Sequence, residues 1–187
     1  MRIYLLITIL STLSLSASWE PLLEKEGIKV FKDAASKTAT LPFKAQGLVQ
    51  FSLEKVLAAL TDEYNKPKWA PKLKSITIHK RDQTLKEVIF SEYYKTPWPA
   101  FDREFLMRGQ VLRKSKDLII LQAKSIYNES LAHPDYVQAN VSKLNLTLKR
   151  VSSNSTLLIF EFHGDMMGYI PSWLSNIIQY VRREAGS

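Results

Sequence analysis

Few residues in this chain are placed to do acid–base or metal chemistry. The three histidines are His79, His133 and His163, and there is no cysteine. None has metal-ligand spacing with another histidine, so neither a metal centre nor a cofactor is expected. His163 and Asp165 are two residues apart, which on a strand puts both on one face, where a carboxylate could steady a general base. The plainer reading, a strand-end histidine beside a turn aspartate, is preferred. There is no G-x-S-x-G elbow, P-loop or G-x-G-x-x-G turn, and no residue is assigned a catalytic role. What the chain does offer is apolar recognition. Phe90, Tyr93, Tyr94, Trp98, Phe101 and Phe105 cluster in sequence. Core packing accounts for most of them, and Trp98, between two prolines, reads as a turn anchor. Tyr94, Phe105 and Met107 are the candidates for a pocket wall, methionine suiting an irregular apolar cavity.

Those side chains need a scaffold, and the hydrophobic period supplies one. A short helix is expected over residues 19–26, with a strand starting at Ile28. Residues 39–51 read as an edge or bulged strand because Pro42 and Gly47 weaken it. Ser52 is an N-cap candidate, and Leu53, Val56, Leu57 and Leu60 recur at helical spacing. Residues 63–72, with two prolines around Trp69, read as loop. The period then becomes two: Ile76 and Ile78; Val88, Phe90 and Tyr94; residues 105–112; residues 118–127; Leu144, Leu146 and Leu148; and residues 156–163. At the end, Pro171 suits a first helical position, and Trp173, Leu174, Ile177, Ile178 and Val181 share one face of an amphipathic helix. Antiparallel strands with segregated helices give an α+β class.

Residues 93–105, Tyr-Tyr-Lys-Thr-Pro-Trp-Pro-Ala-Phe-Asp-Arg-Glu-Phe, resemble the PWP…DRDF signature of START (steroidogenic acute regulatory protein-related lipid transfer) domains. The helix from Leu53 followed by Trp69, Ser125-Ile126, Pro134-Asp135-Tyr136-Val137, and the run from Gly164-Asp165 to Gly168-Tyr169-Ile170-Pro171-Ser172-Trp173-Leu174-Ser175-Asn176 agree in order with that family, bacterial exported type. The resemblance implies the helix-grip fold: a curved antiparallel sheet around a C-terminal amphipathic helix, enclosing an apolar cavity that holds one lipid. It implies tunnel and lid contacts from Phe90, Tyr94, Phe105, Met107, Phe160, Phe162, Ile170, Trp173, Leu174, Ile177 and Ile178. Polar head-group contacts would come from Glu92, Arg103 and Arg108. One departure stands out. Many relatives carry an arginine six residues after the arginine of the signature, pairing with a carboxylate in the tunnel, and that position here is Gly109. Glu92 with Arg103 or Arg108 would be a weak substitute.

Composition bounds the rest. The chain has 187 residues, 45% of them hydrophobic, and a formal net charge of +8, enough for one domain with a real core. Arg2, the apolar run 3–15 and the small residues 16–18 read as a signal peptide over residues 1–18, too short to span a membrane. The domain then covers residues 19–187, and the expected location is exported, periplasmic or secreted. For an exported chain, Lys66, Lys68, Lys72, Lys74, Lys80 and Arg81 suit transient contact with an anionic membrane surface better than nucleic acid, which is not an expected partner. The expectation is a monomeric, non-enzymatic protein that binds a single lipid or similar amphiphile, either to hold or to transfer it. The alternative is a small-molecule cyclase or hydrolase using acid/base residues in the same kind of cavity.

Overall fold

The alternation read from the sequence builds one large sheet. The computed structural model describes residues 19–25, 27–36, 42–82 and 87–164. Its elements are β1 (Trp19–Lys25), β2 (Ile28–Asp33), β3 (Phe43–Val49), α1 (Leu53–Thr61), α2 (Lys66–Trp69), β4 (Leu73–Asp82), β5 (Glu87–Tyr94), β6 (Arg103–Lys114), β7 (Leu118–Ser125), β8 (Val137–Gln138), β9 (Val141–Ser152) and β10 (Ser155–Gly164). The strands form a curved sheet in the order β1-β2-β3-β10-β9-β7-β6-β5-β4, with β8 pairing off this path against β6. From β3 the chain passes through both helices to the far edge at β4. It then returns strand by strand until β10 closes against β3, Phe160 opposite Ala45 and Phe162 opposite Phe43.

One half of the concave face is filled. Ser52 caps α1 as expected, its Oγ accepting from the Lys55 amide at 3.4 Å, and Leu53, Val56 and Leu60 are buried. They pack with Val30, Ala45, Val49, Leu148 and Leu158 from β2, β3, β9 and β10. Each aliphatic side chain so buried contributes about 1.5–3 kcal/mol.

Four expectations are corrected. Residues 19–25 are a strand, not a helix: Gly27, with φ of 77°, turns the chain, and β1 pairs with β2, placing Glu20 by Lys32 (3.5 Å) and Glu24 by Lys29 (3.8 Å). Pro21 is tolerated because β1 is an edge strand. β3, expected as an edge or bulged strand, lies inside the sheet between β2 and β10 in unbroken register; Pro42 falls just before it, so no ladder bond is lost. Within the expected loop, residues 66–69 form the short helix α2, with Pro67 in its first turn and Trp69 buried. Trp98 anchors nothing, being 92% exposed, and Phe101 is 74% exposed. Asp102 ties that turn instead, accepting from the Thr96 amide at 2.8 Å and from Lys74 at 2.9 Å.

On the convex side the connection between β7 and β9 crosses β5 and β6. Its fastening is Glu104, fully buried, which accepts from Ser91 Oγ, from the His133 amide at 2.7 Å and from Gln138 Nε2 at 2.5 Å. Tyr93 packs on Tyr136 with ring centroids 4.8 Å apart. The signal peptide expected over residues 1–18 and the expected C-terminal amphipathic helix lie outside the described residues.

Candidate functional site

The other half of the concave face, under β4 to β7 and β9, holds a cavity of about 490 Å³. Strand register builds its wall in rows. Ile78, Phe90 and Met107 form one; Val88, Gly109, Ala123 and Leu144 a second; Val111, Leu121 and Leu146 a third. These are alternate residues of adjacent strands, so all turn to the same side. Leu60 and Thr61 of α1 and Lys66 of α2 complete it. Gly109 is what lets the second row close: a Cβ there would stand 3.1 Å from Val88 Cγ1 and 3.2 Å from Phe90 Cε1. The space that a longer side chain would need at position 109 is thus taken by its apolar neighbours.

Polar groups sit at the two ends. At one end Arg81 bridges to Glu63 at 3.0 Å, and Asp82, Glu87 and Gln110 stand nearby on the β4–β5 end of the sheet. At the other, one step beyond the Ile78–Phe90–Met107 row, lies Glu92, opposite Ile76 and Phe105 and only 5% exposed. Its Oε1 is ion-paired with Lys66 Nζ, and its Oε2 accepts from the Tyr94 hydroxyl at 2.9 Å. Desolvation by burial, then the adjacent carboxylate, push the Tyr94 phenol well above its ordinary value, so it stays a donor.

Of the residues singled out in the sequence, Phe90, Glu92 and Met107 therefore line the cavity. Tyr94 and Phe105 stand behind Glu92, their rings edge to face at 5.3 Å. Phe160 and Phe162 lie in the filled half, each packed on Phe43, with centroids 5.7 and 5.6 Å away. Arg103 starts β6 opposite Tyr94. Arg108 faces outward beside Glu87 at 3.8 Å, and Glu92 pairs with Lys66 rather than with either arginine. Ile170, Trp173, Leu174, Ile177 and Ile178 lie outside the described residues. Sequence reasoning missed Lys66, which looked like one more surface cation in a lysine-rich stretch. It also passed over Ile76, Ile78, Leu121, Leu144 and Leu146 as lining, although their alternation was the available signal.

The histidines do not converge. His79 bonds Ser91 at 2.8 Å, His133 lies in the convex crossing, and His163 stands next to last in β10 with its ring edge-on to Trp19 at 6.2 Å. Burial, then Lys143, lower the His163 pKa below its ordinary 6.5, leaving it neutral at pH 7. Its proposed partner Asp165 is outside the described residues. Among the described residues no three His, Asp or Glu side chains gather as a metal site, and no helix is long and apolar enough to cross a membrane.

A large curved antiparallel sheet with, among the described residues, two helices, and a cavity walled by its strands, is the START-like architecture. Solved structures agree. Human StAR-related lipid transfer protein 5 superposes with a TM-score of 0.76 at 16% identity, covering 90% of this chain and 88% of its own. A STAR-related lipid transfer protein from Xanthomonas axonopodis gives 0.72 at 18%, covering 90% and 99%. The human StarD13 lipid transfer and protein localization domain gives 0.73 at 15%, covering 90% and 89%. No family model and no curated protein matches the sequence. At these identities what is shared is the fold.

Proposed function

We propose that this protein is an exported lipid-binding protein that holds one amphiphile in the cavity under β4 to β7. The observation that carries this reading is a mainly apolar cavity of about 490 Å³ with the part-buried Lys66–Glu92 ion pair in its wall. That volume lies within the range of pockets for one small ligand, about 300–1,000 Å³, and removing apolar ligand surface from water gains about 25 cal/mol per Å². In this reading Phe90 and Met107 contact the chain or ring system of the ligand, Tyr94 and Phe105 back the polar end, and residues 170–178 supply the helix and lid of a helix-grip fold. Residues 1–18 direct export, and the mature protein works as a monomer. The basic stretch around α2 and β4 makes a transient contact with anionic membrane. That contact draws on less charge than the sequence suggests, because Lys66, Lys74 and Arg81 are paired with Glu92, Asp102 and Glu63. Native mass spectrometry of the purified protein, with organic extraction of anything bound, tests the reading. One lipid per chain is expected. Protein that carries none and takes up none from mixed vesicles would refute it.

A further inference from the structure

Lys66 and Glu92 share more than a contact. Both oxygens of Glu92 already face a donor, Lys66 Nζ on one and the Tyr94 hydroxyl at 2.9 Å on the other. The carboxylate therefore has little left to offer a ligand. The ammonium is the opposite case: it carries three N–H donors, and Glu92 is its only side-chain partner among the described residues. Its side chain is 25% exposed and lines the cavity. Beside Glu92 the strand register sets Ile76 and then the Phe90–Met107 row into the wall, none of which accepts an ordinary hydrogen bond. Of the other polar lining groups, Arg81 is held by Glu63, Gln110 by Gln122 at 3.2 Å, and the Thr61 hydroxyl donates to the Leu57 carbonyl at 2.9 Å.

The geometry points to Lys66 as the residue that anchors the ligand's head, and to a neutral amphiphile ending in a hydroxyl or carbonyl oxygen as the preferred occupant. This inference rests on the lipid-binding reading above. The selection is electrostatic. Lys66 and Glu92 together are neutral, so an uncharged oxygen can accept a charge-assisted bond from the ammonium while the cavity gains no net charge. A carboxylate or phosphate head would bring a second anion beside Glu92 in apolar surroundings, where like charges repel with little screening. Glu92 acts as a positioning residue: it fixes the ammonium in the cavity wall and cancels its attraction for anions.

The test compares three C18 probes on delipidated full-length protein, by competition in native mass spectrometry at pH 9: oleyl alcohol, oleate and 1-octadecene. Wild type is expected to favour the alcohol over both others by roughly ten-fold or more, the scale of one hydrogen bond to a charged group. Lys66→Met should bring the alcohol down to the level of the alkene while leaving the alkene unchanged. Glu92→Gln, which leaves the ammonium uncompensated, should reverse the order in favour of oleate. The double variant Lys66→Met/Glu92→Leu removes both charges, a replacement folds often tolerate. It keeps the test alive if the single lysine variant does not fold, and it too should lose the preference for the alcohol. Equal affinity for all three probes in wild type, or a preference for the alcohol that survives both lysine variants, overturns the assignment of Lys66 but leaves lipid binding standing. Failure of every probe to bind wild type overturns the lipid reading itself.

Discussion

Glu104 is fully buried, yet its pKa lies below the ordinary carboxylate value of 4.5. Burial alone would raise it. Hydrogen bonds from Ser91, the His133 amide and Gln138 oppose burial and together outweigh it. A carboxylate whose folded pKa is depressed adds stability that is complete above the unfolded pKa and fades as pH falls through the lower folded value. Urea melts between pH 7 and pH 3 should thus show wild type losing this contribution below about pH 4.3. Glu104→Gln, by turning an amide N–H₂ toward existing donors, should cost about 1–3 kcal/mol at pH 7 and show a shallower loss in acid. An equal acid loss in both proteins would assign it to other groups. Gly109 carries a second prediction. Because a Cβ there already crowds Val88 and Phe90, Gly109→Leu should cost about 1–3 kcal/mol by overpacking and cut the lipid recovered per chain. Full lipid recovery from a folded Gly109→Leu protein would place the ligand elsewhere.

Helix α1 and the turn between β5 and β6 make a contrast at the scale of elements. The bond from the Lys55 amide to Ser52 is long at 3.4 Å, so Ser52→Ala should cost about 0.5–1 kcal/mol, the low end for a lost cap. Trp98→Ala, at an exposed tip, should change stability by less than about 0.5 kcal/mol despite removing the larger side chain. Thermal melts of the two variants decide the order. Elements whose signal is local were legible in the sequence: α1 has a cap and a repeating apolar face, and β4 to β7, β9 and β10 each carry an alternating run, whereas the two-residue β8 has none. Elements set by distant partners were not. Residues 19–25 carry leucines and glutamates that suit a helix, and only pairing with β2 makes them a strand. β3 looks weak alone because its strength comes from flanking β2 and β10, the latter more than a hundred residues later in the chain. Lys66 was illegible for the same reason, since its partner Glu92 sits on another element and nothing in a run of lysines marks the one that turns inward.

The molecule as a whole is a sheet used in two ways. Under β2, β3, β10 and β9 its concave face is packed by α1, and Val49, Val56 and Leu148 have no exposed surface. Under β4 to β7 the facing residues Ile76, Ile78, Phe90 and Leu121 are only partly buried, because the cavity gives them no partner atoms. A ligand filling that space binds the folded state alone and stabilises it by about 2.7 kcal/mol at a hundred times its dissociation constant. Hydrogen exchange reads where that stabilisation acts, since an opening is suppressed only if it destroys the site. Openings of β4 or β5 remove Ile78, Phe90 and Glu92 from the cavity together, so their amides should slow by roughly a hundred-fold when lipid is bound. β1 lies at the opposite edge, its residues after Trp19 are exposed, and it contributes nothing to the cavity. Its fraying leaves the site intact, and its amides should exchange at the same rate with and without lipid. Slowing of β1 equal to that of β5 would mean that the ligand acts through the whole sheet, and no slowing of β5 would mean that it does not bind under β4 to β7.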